Sequence, residues 1–313
     1  MKLVLSTSNI VSGSASVIGR ASTKSDSELT NSLRSNFTQR RDSAEDEDDS
    51  YSSWTTQEGD KLFIPSVDFS TSGLAEERAA YDITVKLFYL PNIPPSKRCE
   101  HTKEAIALVL KELHVESIDL LIVSYPNIVF DAEDESEEDD ISRQDTPSAD
   151  SDAQSAVGPE DISSMIRTWR TIEKLHESGT VAKIGIAEFG TQHLARFLDE
   201  ARIRPAVNQI NVRDCCVVPK PLIMFAKREK IELLTHSDVT NILPRGTLRE
   251  LLGPGDKGVG VLSSGSETEK TPDTKGLNGD VEPQWVIKYT AVVKDRGVVE
   301  NKGYFAVAEL KAS

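Results

Sequence analysis

From Tyr81 to His236 the chain alternates between short apolar runs rich in β-branched residues and amphipathic stretches, joined by short connections. "YDITVKLF", "SIDLLIVS", "TVAKIGIAEF", "PAVNQINV" and "IELLTH" read as strands. Between them lie "TKEAIALVLKELH", "DISSMIRTWRTIEKLHESG", "TQHLARFLDEAR" and "PKPLIMFAKREK", which read as helices. In the second helix Ile162, Met165, Ile166, Trp169, Ile172 and Leu175 form one stripe, and Gly179 suits its C-terminal cap. Thr102 is expected to cap the first. Nearly continuous apolar strands that alternate with helices imply an α/β fold with a parallel sheet buried on both faces. Periodicity alone leaves an open doubly wound sheet and a closed barrel equally available.

The flanking segments differ in composition. Residues 20–60 are rich in Ser, Thr and acids, and a mobile loop is expected there, with weak strand signals on either side at Leu3–Leu5 and Phe63–Phe69. Residues 131–158 lie in an acidic run that cannot bury apolar area, and they are expected to form a disordered insertion after the strand ending at Ser124. Residues 253–283 are rich in Gly, Ser and Pro and read as a flexible segment. Residues 284–313 are apolar enough to pack back on the core, so residues 1–313 are read as one domain.

The net charge is −15, but residues 131–160 carry −11 of it, leaving −4 for the remainder. An acidic chain repels nucleic acid and anionic membranes, and no apolar stretch reaches the roughly 18 residues of a membrane span. Neither partner is expected. Three cysteines, Cys99, Cys215 and Cys216, cannot build a disulfide framework, and a reducing, cytoplasmic setting fits them. The five histidines lack metal-ligand spacing, and no phosphate-binding, nucleophile-elbow or zinc-protease motif is present, so no metal is expected. His236 ends a strand and should face the mouth, where barrels place chemistry.

The stretch "RTWRTIEKLHESGTVAKIGIAEFGTQHLARFLDEARIRPAVNQINV" resembles the aldo/keto reductases, in motif content and in motif order. That resemblance implies a degenerate or abbreviated (β/α)8 TIM barrel. A narrower one, carried by "NQINVRDCCVVP", "LLTHSD", "VKLF" and "VVKDRGVVENKGY", is to the modifier (regulatory) subunits of glutamate–cysteine ligase, a non-catalytic branch of that superfamily. It implies a heterodimer with the ligase catalytic subunit, better use of glutamate and weaker feedback inhibition by glutathione, with no cofactor of its own.

The reductases use a Tyr acid, a Lys and an Asp that tune it, and a His near the substrate oxygen. By resemblance Lys86 matches the lysine, while the histidine position holds Ser124, which cannot carry positive charge near neutral pH. Asp46 and Tyr51 have the right spacing for the remaining pair, but an acidic run supplies such spacings by chance. The catalytic tetrad is therefore not intact, and Lys86 is expected to be structural. The Ser-Asn pair that holds the nicotinamide amide corresponds to Ala187 and Glu188, and Gln209 is vestigial. Lys294 and Arg296 are a weak counterpart of the phosphate-binding cluster. An NADPH-dependent reductase with a remodelled site is the alternative reading, and a barrel scaffold for another partner a third. Candidate partner or redox residues are Cys215, Cys216, Trp285, Tyr289 and Tyr304. Either thiol could form an intersubunit disulfide, and the aromatics could anchor a partner.

Overall fold

The parallel core follows directly from the alternation. In the structure, a computed structural model, β4 (Tyr81–Tyr89), β5 (Ile118–Ser124), β6 (Val181–Ala187), β7 (Val207–Asn211) and β8 (Glu232–His236) run parallel in that order. Four helices connect them: α2 (Arg98–Leu113), α3 (Ile162–Glu177), α4 (Thr191–Glu200) and α5 (Lys220–Glu229). The described residues are 1–12, 25–44, 50–128, 130, 161–212, 218–239, 241–255, 257–263 and 276–311. The acidic insertion expected at 131–158 lies outside them, as do Cys215 and Cys216.

The C-terminal stretch forms a long hairpin, β9 (Asp280–Val293) and β10 (Val298–Lys311), turned at Gly297, whose φ of 62° suits glycine. β9 pairs antiparallel with β4, and β10 carries β1 (Lys2–Ser6), which in turn pairs with β3 (Lys61–Ile64). With β2 (Thr56–Glu58) at the far edge, the sheet order is β2-β3-β1-β10-β9-β4-β5-β6-β7-β8. The architecture is α/β, with five consecutive parallel strands at one side of the sheet and an antiparallel hairpin continuing it. Among the described residues the edge strands β2 and β8 are not paired with each other.

Both faces of the sheet are covered. On one, α2 to α5 pack over alternate strand residues such as Val85, Leu121 and Ile184, with Trp169 of α3 edge-on to Phe197 of α4, ring centroids 5.2 Å apart. Trp169 is fully buried, and its indole N–H donates to the Ile203 carbonyl at 2.9 Å. Glu173, also fully buried, accepts from the backbone N–H groups of Arg202 and Ile203 and from both neighbouring guanidiniums, tying α3 to the loop before β7. On the other face, α1 (Ser25–Asp42) and α6 (Thr247–Leu252) cover β1, β10 and β9.

Three expectations need correction. Ser25–Asp42 is a helix where a mobile loop was expected, because Leu29, Leu33 and Phe37 recur every four residues and bury completely. A stripe that narrow is easily lost in Ser-rich composition. Part of the 253–283 segment is likewise packed: Val259, Val261 and Leu262 are buried, and Leu262 bridges to Leu277. Thr102 is not a cap. α2 begins a turn earlier, after Pro94 and Pro95, and the Thr102 hydroxyl bonds the Arg98 carbonyl and Tyr89 instead.

Candidate functional site

At the carboxyl ends of the parallel strands, the side chains of one face converge into a buried charge cluster. Lys86 of β4 is 4% exposed and donates to Asp238, two residues past the end of β8, at 3.0 Å. Lys288 of β9 sits directly opposite Lys86 in the ladder. Like charges so placed repel each other. Asp238 resolves the conflict, because its other oxygen accepts from Lys288, also at 3.0 Å. Burial alone would raise the Asp238 carboxyl, but the two ammonium groups outweigh it and hold it well below the usual carboxylate range. Burial pulls Lys86 below the usual lysine value, and Asp238 restores part of that loss.

His236, the last residue of β8, completes the cluster. Its Nδ1 lies 3.3 Å from Lys86 Nζ and accepts from the backbone N–H of Asp238 at 3.0 Å. In a neutral ring the proton then sits on Nε2. That nitrogen lies 2.6 Å from Glu188 Oε1, a close approach not aligned as a hydrogen bond. Glu188 itself, 4% exposed, follows β6 with a φ of 67°. Asn tolerates this left-handed conformation, whereas Glu is held there at a cost of about 1–2 kcal/mol. The Glu188 N–H donates to the Gln209 carbonyl, and its carboxylate accepts from the backbone N–H of Asn211.

The expected site residues are distributed unevenly around this cluster. Lys86 is at its centre, buried and paired with Asp238. Ser124 is buried at the end of β5, with no positive charge to offer. Gln209 lies beside Ala187 in the ladder, with its side-chain oxygen buried and unbonded. Tyr51 is elsewhere. It packs on the cluster of α1 apolar residues, and Asp46 is outside the described residues. Lys294 and Arg296 sit in or beside the β9–β10 turn, paired with Asp82 and Glu76, at the amino end of β4 and away from Lys86. Sequence reasoning missed Asp238 and Lys288. "LLTHSD" held the signal for the first, since a carboxylate two residues past a strand end can turn back over the mouth.

Trp285, Tyr289 and Tyr304, expected as partner anchors, are each 0% exposed. They build the hairpin into the core and offer no surface. Burial and the Glu112 carboxylate raise the Tyr289 phenol, and burial together with Glu28 does the same for Tyr304.

These residues do not fit a nicotinamide. The carboxamide oxygen would meet no side-chain donor at Ala187 or Glu188, and the Glu188 carboxylate is already set against His236. The phenol that would act as acid is absent from the Lys86 cluster as described. Among the described residues, no group of three or more His, Cys, Asp or Glu could hold a metal ion. No helix among them is long and apolar enough to cross a membrane.

Comparison with known proteins adds a second line of argument. The profile of the aldo/keto reductase family matches residues 69–251. The glutamate–cysteine ligase regulatory subunits of Mus musculus and Homo sapiens are each 26% identical over 238 residues, covering 76% of this chain and 70% of the relative. Aldose reductase B of Dictyostelium discoideum is 31% identical over 167 residues, covering 52% of this chain and 48% of the relative.

Proposed function

The chain belongs to the aldo/keto reductase family, and from that premise we propose that it is a non-catalytic regulatory subunit of glutamate–cysteine ligase. The observation that carries this reading is the closed charge cluster. Lys86, the residue a reductase would use to tune its acid, is paired with Asp238, and among the described residues no phenol joins the cluster. Ser124 supplies no imidazolium, and the Glu188 carboxylate lies 2.6 Å from the His236 ring. The likeness to regulatory subunits over three quarters of the chain supports the same conclusion.

In this reading the protein forms a heterodimer with the ligase catalytic subunit in the cytoplasm. It improves the use of glutamate and relieves inhibition by glutathione. The physical requirement is modest: the regulatory chain binds the active conformation of its partner more tightly than the inhibited one, and the difference in affinity sets the shift. Nucleotide and metal chemistry belong to the partner.

Kinetics of the isolated catalytic subunit, with and without this chain, test the proposal. The KM for glutamate should fall and the glutathione concentration needed for inhibition should rise. If both stay unchanged while the added protein is folded by circular dichroism, the proposal fails. A parallel NADPH titration addresses the reductase reading: saturable quenching of tryptophan fluorescence with carbonyl-dependent oxidation would favour it instead.

A further inference from the structure

Between the end of β1, α1 and the loop after β3 lies a cavity of about 580 Å³. None of its lining residues belongs to the Lys86–Asp238 cluster. Its wall is mainly hydroxyl and amide, with Thr7, Ser8 and Asn9 following β1, and Ser35, Asn36 and Gln39 on α1. Arg40 and Asp68 bring one charge of each sign. Glu112, near the end of α2, lines it from the core.

Two side chains that line it carry a buried oxygen without a hydrogen-bond partner. Glu112 is 5% exposed, and its Oε1 accepts from the Tyr289 hydroxyl at 3.5 Å, but its Oε2 has no hydrogen-bond partner. Ser32 on α1 is 3% exposed, and its Oγ is likewise unpartnered. Buried polar atoms are normally satisfied, so two orphans in the wall of one polar cavity mark a place that something else completes. A single water needs far less room, and the volume falls in the range of small-molecule sites. Burial raises the Glu112 carboxyl, with the Tyr289 bond opposing only part of that rise, so a hydrogen-bond donor or cation beside it would be favourable.

The geometry points to a binding site for a small zwitterion of the amino-acid class, its ammonium toward Glu112 and Asp68 and its carboxylate toward Arg40. Phosphate is disfavoured by the two acids, and a neutral polyol brings no positive group to the buried Glu112 carboxyl, while Arg40 and Asp68 stand exposed at the rim. The site needs no partner chain, so its failure would leave the ligase reading untouched.

Isothermal titration of the full chain with each standard α-amino acid tests it, with inorganic phosphate and glycerol as controls. At least one amino acid should give a saturable single-site isotherm. Its affinity should fall about tenfold in Glu112→Gln and in Arg40→Ala. Ser32→Ala, which only shortens a small side chain, should weaken the same ligand and serves if the glutamine variant does not fold. Three outcomes would overturn the proposal: no amino acid binds; binding survives all three substitutions in folded protein; or phosphate or glycerol saturates the site instead.

Discussion

Asp238→Asn strips the charge from the group that keeps Lys86 and Lys288 compatible across the β4–β9 ladder. The side chains of Lys86 and Asp238 are 5% and 8% exposed, so what remains is a buried, uncompensated ammonium beside a second one. Removing one partner of a buried ion pair costs about 3–5 kcal/mol. Lys288 is 21% exposed, and His236 Nδ1 stays 3.3 Å from Lys86, which places the expected loss near the lower end, at about 3 kcal/mol. In a domain of this size that lowers Tm by about 6–12 °C. Urea unfolding followed by circular dichroism should show a lower midpoint at unchanged slope, the signature of lost stability rather than altered compactness. Adding Lys86→Met should recover most of the loss, since only the more exposed lysine, Lys288, then remains charged, and a double-mutant cycle should return a coupling of about 1–3 kcal/mol. A loss below about 1 kcal/mol for Asp238→Asn would refute the claim that this carboxylate holds the cluster together.

Two further perturbations follow from named contacts. His101 is buried, and burial, opposed by the Glu104 carboxylate and aided by Lys2 and Lys97, pushes its imidazole down to about 4. Because the unfolded chain takes up a proton on this ring near pH 6.5 while the folded chain does not, stability should fall as pH drops from about 6.5 toward 4, by about 1 kcal/mol after solvent screening; a His101→Gln protein with the same acid slope would exclude this cause. Gly303 stands opposite Tyr289 in the hairpin, and a Cβ there would press on the Tyr289 hydroxyl and the Ser8 carbonyl. Gly303→Ala should therefore destabilise by about 1–3 kcal/mol in a thermal melt, and an unchanged Tm would show that the close approach is not rigid.

Much of the parallel core was legible from local pattern. β4 to β8 fall close to where apolar runs stop at polar or turn-forming residues, and the stripe containing Met165, Trp169 and Ile172 is the buried face of α3. Gly179 has the left-handed φ of 79° that a helix stop calls for. The substitutions at Ser124, Ala187 and Glu188 are equally plain, since they concern which side chain stands at a strand end and nothing more. α1 was hidden for the opposite reason. Its three buried residues are diluted by serines, and they count as apolar signal only once β1 and β10 supply the surface they cover.

What local pattern determined, then, is the order and type of the parallel elements and the chemistry missing from their ends, because both depend on residues close in sequence. What replaced that chemistry was decided by tertiary structure alone. Lys86 meets Asp238 across 152 residues, and Lys288 reaches the same carboxylate only because the C-terminal hairpin lies against β4 in one particular register. The same register buries Trp285, Tyr289 and Tyr304, the candidate partner anchors. Periodicity states which face a residue takes within its own element. Which distant residue stands opposite is set by the sheet register, and a shift of one residue would turn Lys288 away from Asp238 to the other face.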